Sequence, residues 1–289
     1  MQSLSECAKE RGALCVGLDT DVSYLPENIR KQFSSSADAV LAYNREIIER
    51  LADEKIAACC KVQIAYYEAM GVDGMRAYAK TLSLLREKKI IAIADVKRGD
   101  IAATANAYAR AHFSGDFEAD IMTINPYMGF DTISPFENYF EKGKGIFVLL
   151  RTSNEGMRDI EGETLANGNL VYEKIGNEIV RLQKKLQTNE VPAIGAVVGC
   201  TNEQDAKAIR EKYSNTFFLI PGFGAQGGKA ETAKILLQKA GGVVNSSRSI
   251  LCAWKKDEDA QKNQNAFSLA QIAEFAIREA KRESKELEN

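Results

Sequence analysis

One histidine, His112, is all the imidazole in a chain of 289 residues. That excludes a His-rich zinc centre and an obvious His-based general base, so acid–base work falls to carboxylates or lysines. An excess of one charge is missing too. The 38 basic and 40 acidic residues are mixed along the chain and leave a net charge of −2. No basic stripe follows from such a sequence, which argues against nucleic acid as a partner. No apolar window reaches the length of a membrane helix. The N-terminus, "MQSLSECAKERGALCVGLD", places Glu6, Lys9, Glu10 and Arg11 ahead of its first apolar run, unlike an export signal. The six cysteines show no CxxC spacing. Without an export signal they read as reduced thiols of a cytoplasmic protein. Cys59 and Cys60 are strand neighbours with opposite side-chain directions, so they are poor ligands for one metal. The expectation is a chain without metal, cofactor or membrane anchor.

What is present is a rhythm of short apolar runs and helical segments. Strand-like runs occupy 12–19, 58–65, 90–97, 120–127, 145–152, 193–200, 217–222 and 241–248. Helical periodicity is strongest over 37–54, 72–89 and 268–283. Continuous apolar strands alternating with helices imply a parallel sheet covered on its outer face. A single-domain (β/α)8 TIM barrel over residues 1–289 is the simplest closure. An open doubly-wound sheet would bring a GxGxxG loop after the first strand, and "VGLDTDVSYLPE" contains none. The charged tail "KRESKELEN" reads as a frayed helix end, and His112, near the end of a helical stretch, as a surface residue.

Active sites of such barrels lie at the C-terminal ends of the strands. Here those ends carry Asp19, Lys61 with Gln63, Asp95 with Lys97, "NPY" (125–127), "RTSN" (151–154), "PGFGAQGG" (221–228) and "SSRS" (246–249). Asp95 and Lys97 are two apart on a strand and so face the same way. Asp100 follows near the first turn of a helix, where a carboxylate is favoured. The Asp–Lys–Asp spacing would hold a charged lysine between carboxylates, which suits a proton donor better than an amine nucleophile. The glycine-rich 221–228 loop and Arg248 follow strands 7 and 8, the usual phosphate position of this fold. Each ending has a plain structural alternative: a rim ion pair for Asp95 and Lys97, a turn for the glycine loop, a snorkelling Lys61 and a turn-capping Asp19. Tyr66–Tyr67 and Phe136, Tyr139 and Phe140 read as packing. The functional reading rests on so many such endings converging on one face.

"DVKRGD" (95–100), with Ile101 and Thr104, resembles the DxKxxD signature of orotidine 5′-phosphate decarboxylases. "VGLD" (16–19), "KVQIAYYE" (61–68), "NPYMG" (125–129), "LLRTSN" (149–154), "GAVVGCT" (195–201), "PGFGAQGG" and "SSRSI" (246–250) extend the likeness along nearly the whole chain, toward the longer bacterial form. The chain departs at Thr20, Val62 and Glu155, where that form commonly has proline. The resemblance implies a catalytic group of Lys97, Asp95, Asp100 and Lys61. Lys97 would protonate C6 of the pyrimidine, and Asp95 would sit against the substrate carboxylate. Substrate would be held by Asp19, Ile101, Thr104, Ser153, Pro221, Gln226 and Arg248, with Gln226 and Arg248 on the phosphate and Ser153 on the pyrimidine. It further implies a homodimer in which Asp100 and Thr104 complete the partner's site, and a reaction needing no metal or cofactor. Two rival readings remain: a Mg²⁺-dependent decarboxylase of a keto-sugar phosphate, and a binding-only barrel.

Overall fold

A computed structural model of the chain describes residues 1–186, 189–224, 227–262 and 267–288. Among the described residues eight parallel strands close into a barrel in sequence order. They are β1 (Leu14–Gly17), β2 (Cys59–Gln63), β3 (Ile91–Arg98), β4 (Ile121–Ile124), β5 (Gly145–Arg151), β6 (Ile194–Val198), β7 (Phe218–Ile220) and β8 (Gly242–Ser246). Each falls inside its expected window, except that β3 runs one residue further, to Arg98. The strong helical periodicities become helices Ser36–Glu54, Gly71–Glu87 and Leu269–Glu288. The first begins on the Ser35 hydroxyl, which accepts the Asp38 N–H at 3.1 Å, and ends on Lys55 in the left-handed region.

The strand parity sorts the side chains into two cores. Cys15, Cys59, Ile93, Ile121, Phe147, Val197, Leu219 and Val243, one from each strand, cluster inside the barrel. Their neighbours, among them Val16, Cys60, Ala94, Met122, Val148, Val198 and Val244, join the larger core beneath the helices. Cys59 and Cys60 thus face opposite layers, as the strand geometry requires. Leu4, from the helix Gln2–Arg11, and Met1, just before it, complete the inner cluster, and Met1 approaches Gly145, the first residue of β5. The N-terminal end of the barrel is therefore packed with apolar groups. Each fully buried Leu, Ile or Phe there contributes about 1.5–3 kcal/mol.

Two expectations are corrected. The C-terminal tail is a packed helix rather than a frayed end: Ser284 and Leu287 are buried, and Ser284 and Glu288 lie against Gly12. The apolar stripe of Ile272, Ala276, Ile277 and Ala280 continues through Ser284 to Leu287, while Arg282 pairs with Glu279 and Glu286. His112 is buried rather than on the surface, because the last turn of Ala102–Phe113 is covered by Phe117 and Ala119. Burial, reinforced by the Arg98 charge, pushes its imidazole down to about 4. Phe136 and Phe140 are buried as expected of packing residues.

Candidate active site

Moving two residues along from the inner apolar layer leads to the barrel mouth. From Cys59 the step reaches Lys61, from Ile93 Asp95, from Ile121 Thr123, from Leu219 Pro221 and from Val243 Asn245. All of these line one cavity of about 500 Å³, together with Asp19, Gln63, Tyr66, Lys97, Ser153 and Arg248. The volume is of the size that holds a small molecule.

The cavity floor is a chain of alternating charges. Lys61 Nζ is 3.1 Å from Asp19 Oδ1 and 2.9 Å from Asp95 Oδ2. Asp95 Oδ1 lies 2.6 Å from Lys97 Nζ, and Gln63 donates to Asp95 Oδ2 at 3.0 Å. Asp19 also accepts from Ser247 at 2.7 Å, and Asn245 donates to that hydroxyl at 3.1 Å. Ser247 comes this close only because Gly17 has no Cβ; one built there would meet the hydroxyl at 1.9 Å. Burial works against a charged Lys61, but Asp19 and Asp95 outweigh it and hold the ammonium well above the usual lysine range. Burial likewise works against an ionised Asp95. The Lys61 and Lys97 charges and their hydrogen bonds prevail, keeping its carboxyl well below the usual carboxylate range. The two ammoniums differ in access: the Lys61 side chain is 5% exposed and that of Lys97 45%.

Strand β3 is bent where it delivers these groups. Its pairing with β4 shifts register between Ala94 and Arg98, and Lys97 has φ 43°, a conformation uncommon for a residue with a Cβ. Thr123 secures this bulge. Its hydroxyl accepts the N–H groups of Val96 (2.9 Å) and Lys97 (2.8 Å) and donates to Asp95 at 3.1 Å. Plain strand alternation is therefore not what brings Asp95 and Lys97 together. A bulge held by a buried threonine on the next strand does so, and strain of this kind is typical of functional sites.

The structure brings together Asp19, Lys61, Asp95, Lys97, Ser153, Pro221 and Arg248 around the cavity. Within one chain the lysine that meets two carboxylates is Lys61, while Lys97 meets Asp95. Asp100 does not join the array within its own chain; its carboxylate accepts the Ile101 N–H at 2.7 Å, and the helix starts only at Ala102. Ile101 and Thr104 are exposed and lie off the cavity wall. Gln226 lies outside the described residues. Of the tyrosine pair, Tyr67 is buried and binds the Leu18 carbonyl, whereas Tyr66 reaches the cavity instead of only packing. The sequence reading passes over Thr123 and includes Ser247 only within "SSRS"; the two-residue step from Ile121 marks Thr123. Among the described residues no group of three or more His, Cys, Asp or Glu is placed to hold a metal ion.

Residues 12–262 match the family model described as "Orotidine 5'-phosphate decarboxylase / HUMPS family". An orotidine 5′-phosphate decarboxylase of Clostridium botulinum (strain Langeland) is 53% identical over 266 residues, covering 91% of this chain and 93% of the relative. One from Clostridium acetobutylicum is 52% identical over 262 residues, covering 90% and 91%. Among solved structures, an OMP decarboxylase of Leishmania donovani superimposes with a TM-score of 0.68 at 28% identity, covering 96% of this chain and 98% of that one.

Proposed function

The chain belongs to the orotidine 5′-phosphate decarboxylase / HUMPS family, and from that membership we infer that its barrel-mouth site converts orotidine 5′-phosphate to uridine 5′-phosphate and carbon dioxide, a reaction of UMP biosynthesis. The observation that carries this reading is the Asp19–Lys61–Asp95–Lys97 chain, with one ammonium sealed below and one open to the cavity. Breaking the bond from C6 to the carboxylate leaves the electron pair on C6. Lys97 stands where that negative charge develops, attracts it increasingly as the bond stretches, and delivers the proton that completes the product. Solvent then restores the proton to Lys97. Asp95, kept ionised, faces the departing carboxylate and fixes Lys97; Lys61 holds Asp95 and Asp19 in place and reaches the ribose with Asp19. Thr123 maintains the bulge on which Lys97 depends.

Arg248 grips the phosphate with Gln226, Pro221 forms the adjoining wall, and Ser153 meets the pyrimidine edge. The phosphate acts away from the reacting carbon, so its binding energy serves orientation and closure rather than bond breaking. The protein works as a homodimer, with Asp100 and Thr104 entering the partner's site. Supporting this, the Asp100 carboxylate lies off its own chain's cavity, and the same side of the barrel exposes Ile101 by 52%, Tyr127 by 82% and Met128 by 50%.

The decisive experiment follows orotidine 5′-phosphate absorbance after adding purified protein, with and without EDTA. Loss of signal in both, with uridine 5′-phosphate as product, is the expected result. No loss in either, from folded protein, would refute the reading. Loss only without EDTA would point to a metal-dependent reaction.

A further inference from the structure

The connection between β5 and the helix Val171–Leu186 is long, and nothing in its composition assigns it chemistry. Its geometry does. At the end of β5, Thr152 is held from both sides. Its N–H donates to Glu161 Oε2 at 2.8 Å, and its carbonyl accepts from Arg151 Nη1 at 3.3 Å. The Thr152 hydroxyl lies 2.6 Å from Glu161 Oε1 and 2.7 Å from Asn154 Oδ1, its one proton serving one of them at a time. Arg151 is itself buried, 2.6 Å from Asp205 and 3.6 Å from the second Glu161 oxygen. Glu161 is anchored from behind, since its carbonyl accepts the Tyr172 N–H at 3.1 Å where the next helix begins. The following residue, Ser153, is pressed against Gly199 beyond β6; a Cβ on Gly199 would come within 2.8 Å of the Ser153 Cβ.

We propose that Glu161 is a positioning residue for the pyrimidine end of the site: its carboxylate clasps the Thr152 turn and so fixes the direction in which Ser153 enters the cavity. The proposal rests on the assignment of Ser153 to the pyrimidine. A carboxylate suits the position because it accepts from a main-chain N–H and a hydroxyl at once, and charged acceptors make the stronger bonds. A glutamine would keep one acceptor and turn a second donor toward the Thr152 N–H or hydroxyl. The remaining contacts of the turn, Arg151 to Asp205 and Ser153 to Gly199, do not pass through Glu161, so its removal loosens an orientation without opening the barrel.

The test measures binding of uridine 5′-phosphate and of ribose 5-phosphate by calorimetry to the wild type, Glu161→Ala and Glu161→Gln. Glu161→Ala should lose about tenfold in affinity for the nucleotide, as expected for one good hydrogen bond, and Glu161→Gln about threefold. Ribose 5-phosphate, which has no pyrimidine, should change by less than about twofold in both. Unchanged nucleotide affinity in both variants, or equal losses for the two ligands, would overturn the proposal. A merely structural role moves both ligands together, and Glu161→Gln keeps the test valid if the alanine variant folds poorly. Wild-type turnover of orotidine 5′-phosphate is measured alongside: its absence would refute the functional reading, whereas normal turnover with an unaffected nucleotide affinity in the variants would refute only the clasp.

Discussion

Lys61 and Arg210 are both buried cations, and they are treated in opposite ways. Arg210, 2% exposed beneath the outer helices, has no carboxylate within ion-pair distance among the described residues. Its donors go to main-chain carbonyls: Nε to Leu236 at 2.8 Å, Nη1 to Thr216 at 2.9 Å, Nη2 to Gly241 at 3.0 Å, with the guanidinium 3.8 Å over the Phe218 ring. Burial pushes its pKa down to about 9, and it stays charged at neutral pH. Lys61 is equally hidden, yet it is met by Asp19 and Asp95, one of which is shared with a second, accessible ammonium. Carbonyl dipoles from helix and loop ends satisfy a cation where it serves as cement. Carboxylates cost more to bury, and Asp19 and Asp95 lie where their charges face the cavity. Between these two, the counter-group rather than burial tells the structural cation from the one at the cavity.

The largest effect lies at the exposed end of the charged chain. Lys97→Ala should cut turnover by at least about 10³-fold, the scale of losing a charge aimed at the transition state, while uridine 5′-phosphate binding falls far less. Single-turnover kinetics beside calorimetry check this, and substantial residual activity would remove Lys97 from its role. Next come Lys61 and Arg210 themselves. Lys61→Met leaves Asp19 and Asp95 uncompensated, and Arg210→Met leaves several carbonyls without donors; each should lower stability by about 3–5 kcal/mol in denaturant titration. Only Lys61→Met should also abolish turnover per folded molecule. If Arg210→Met did the same, Arg210 would belong to the chemistry as well as to the core.

A smaller effect belongs to Arg248. Its alanine variant should weaken uridine 5′-phosphate binding by about a hundredfold and leave uridine binding nearly unchanged. Equal losses would argue against a phosphate role. The smallest concerns His112, a buried group held neutral instead of paired. Its folded pKa of about 4 lies below the unfolded value near 6.5. The unfolded chain therefore takes up the proton first, and stability falls as pH drops from about 6.5 toward 4, by about 2 kcal/mol at pH 5 from this residue. His112→Leu should flatten that part of the stability profile relative to the wild type; an unchanged slope would show that His112 does not set it.

Much of this was readable in the chain. Barrel strands are buried on both faces, so each appears as a continuous apolar run, and all eight windows match their strands to within three residues at either end. The clustering of Asp19, Lys61, Asp95 and Lys97 at one mouth followed from strand-end positions alone, because parallel strands in a closed barrel all end on the same side. The errors share a physical cause. His112 and the tail from Lys281 look like surface sequence locally, and what buries them comes from Phe117 and Ala119 in one case and from Gly12 in the other. Thr123 carries no charge to draw notice, yet it secures the bulge at Lys97.

Sequence by itself determined the architecture and the residue types delivered to the site, since apolar runs, helical periods and strand ends are local patterns set by backbone geometry. Tertiary structure alone decided which carboxylate meets which lysine. Asp19, Lys61 and Asp95 come from three different strand ends, and their pairing depends on barrel register, on the missing Cβ at Gly17 and on the β3 bulge. Hydrogen bonds act over about 3 Å, so a chemical array of this kind is specified only when distant segments are held at that separation.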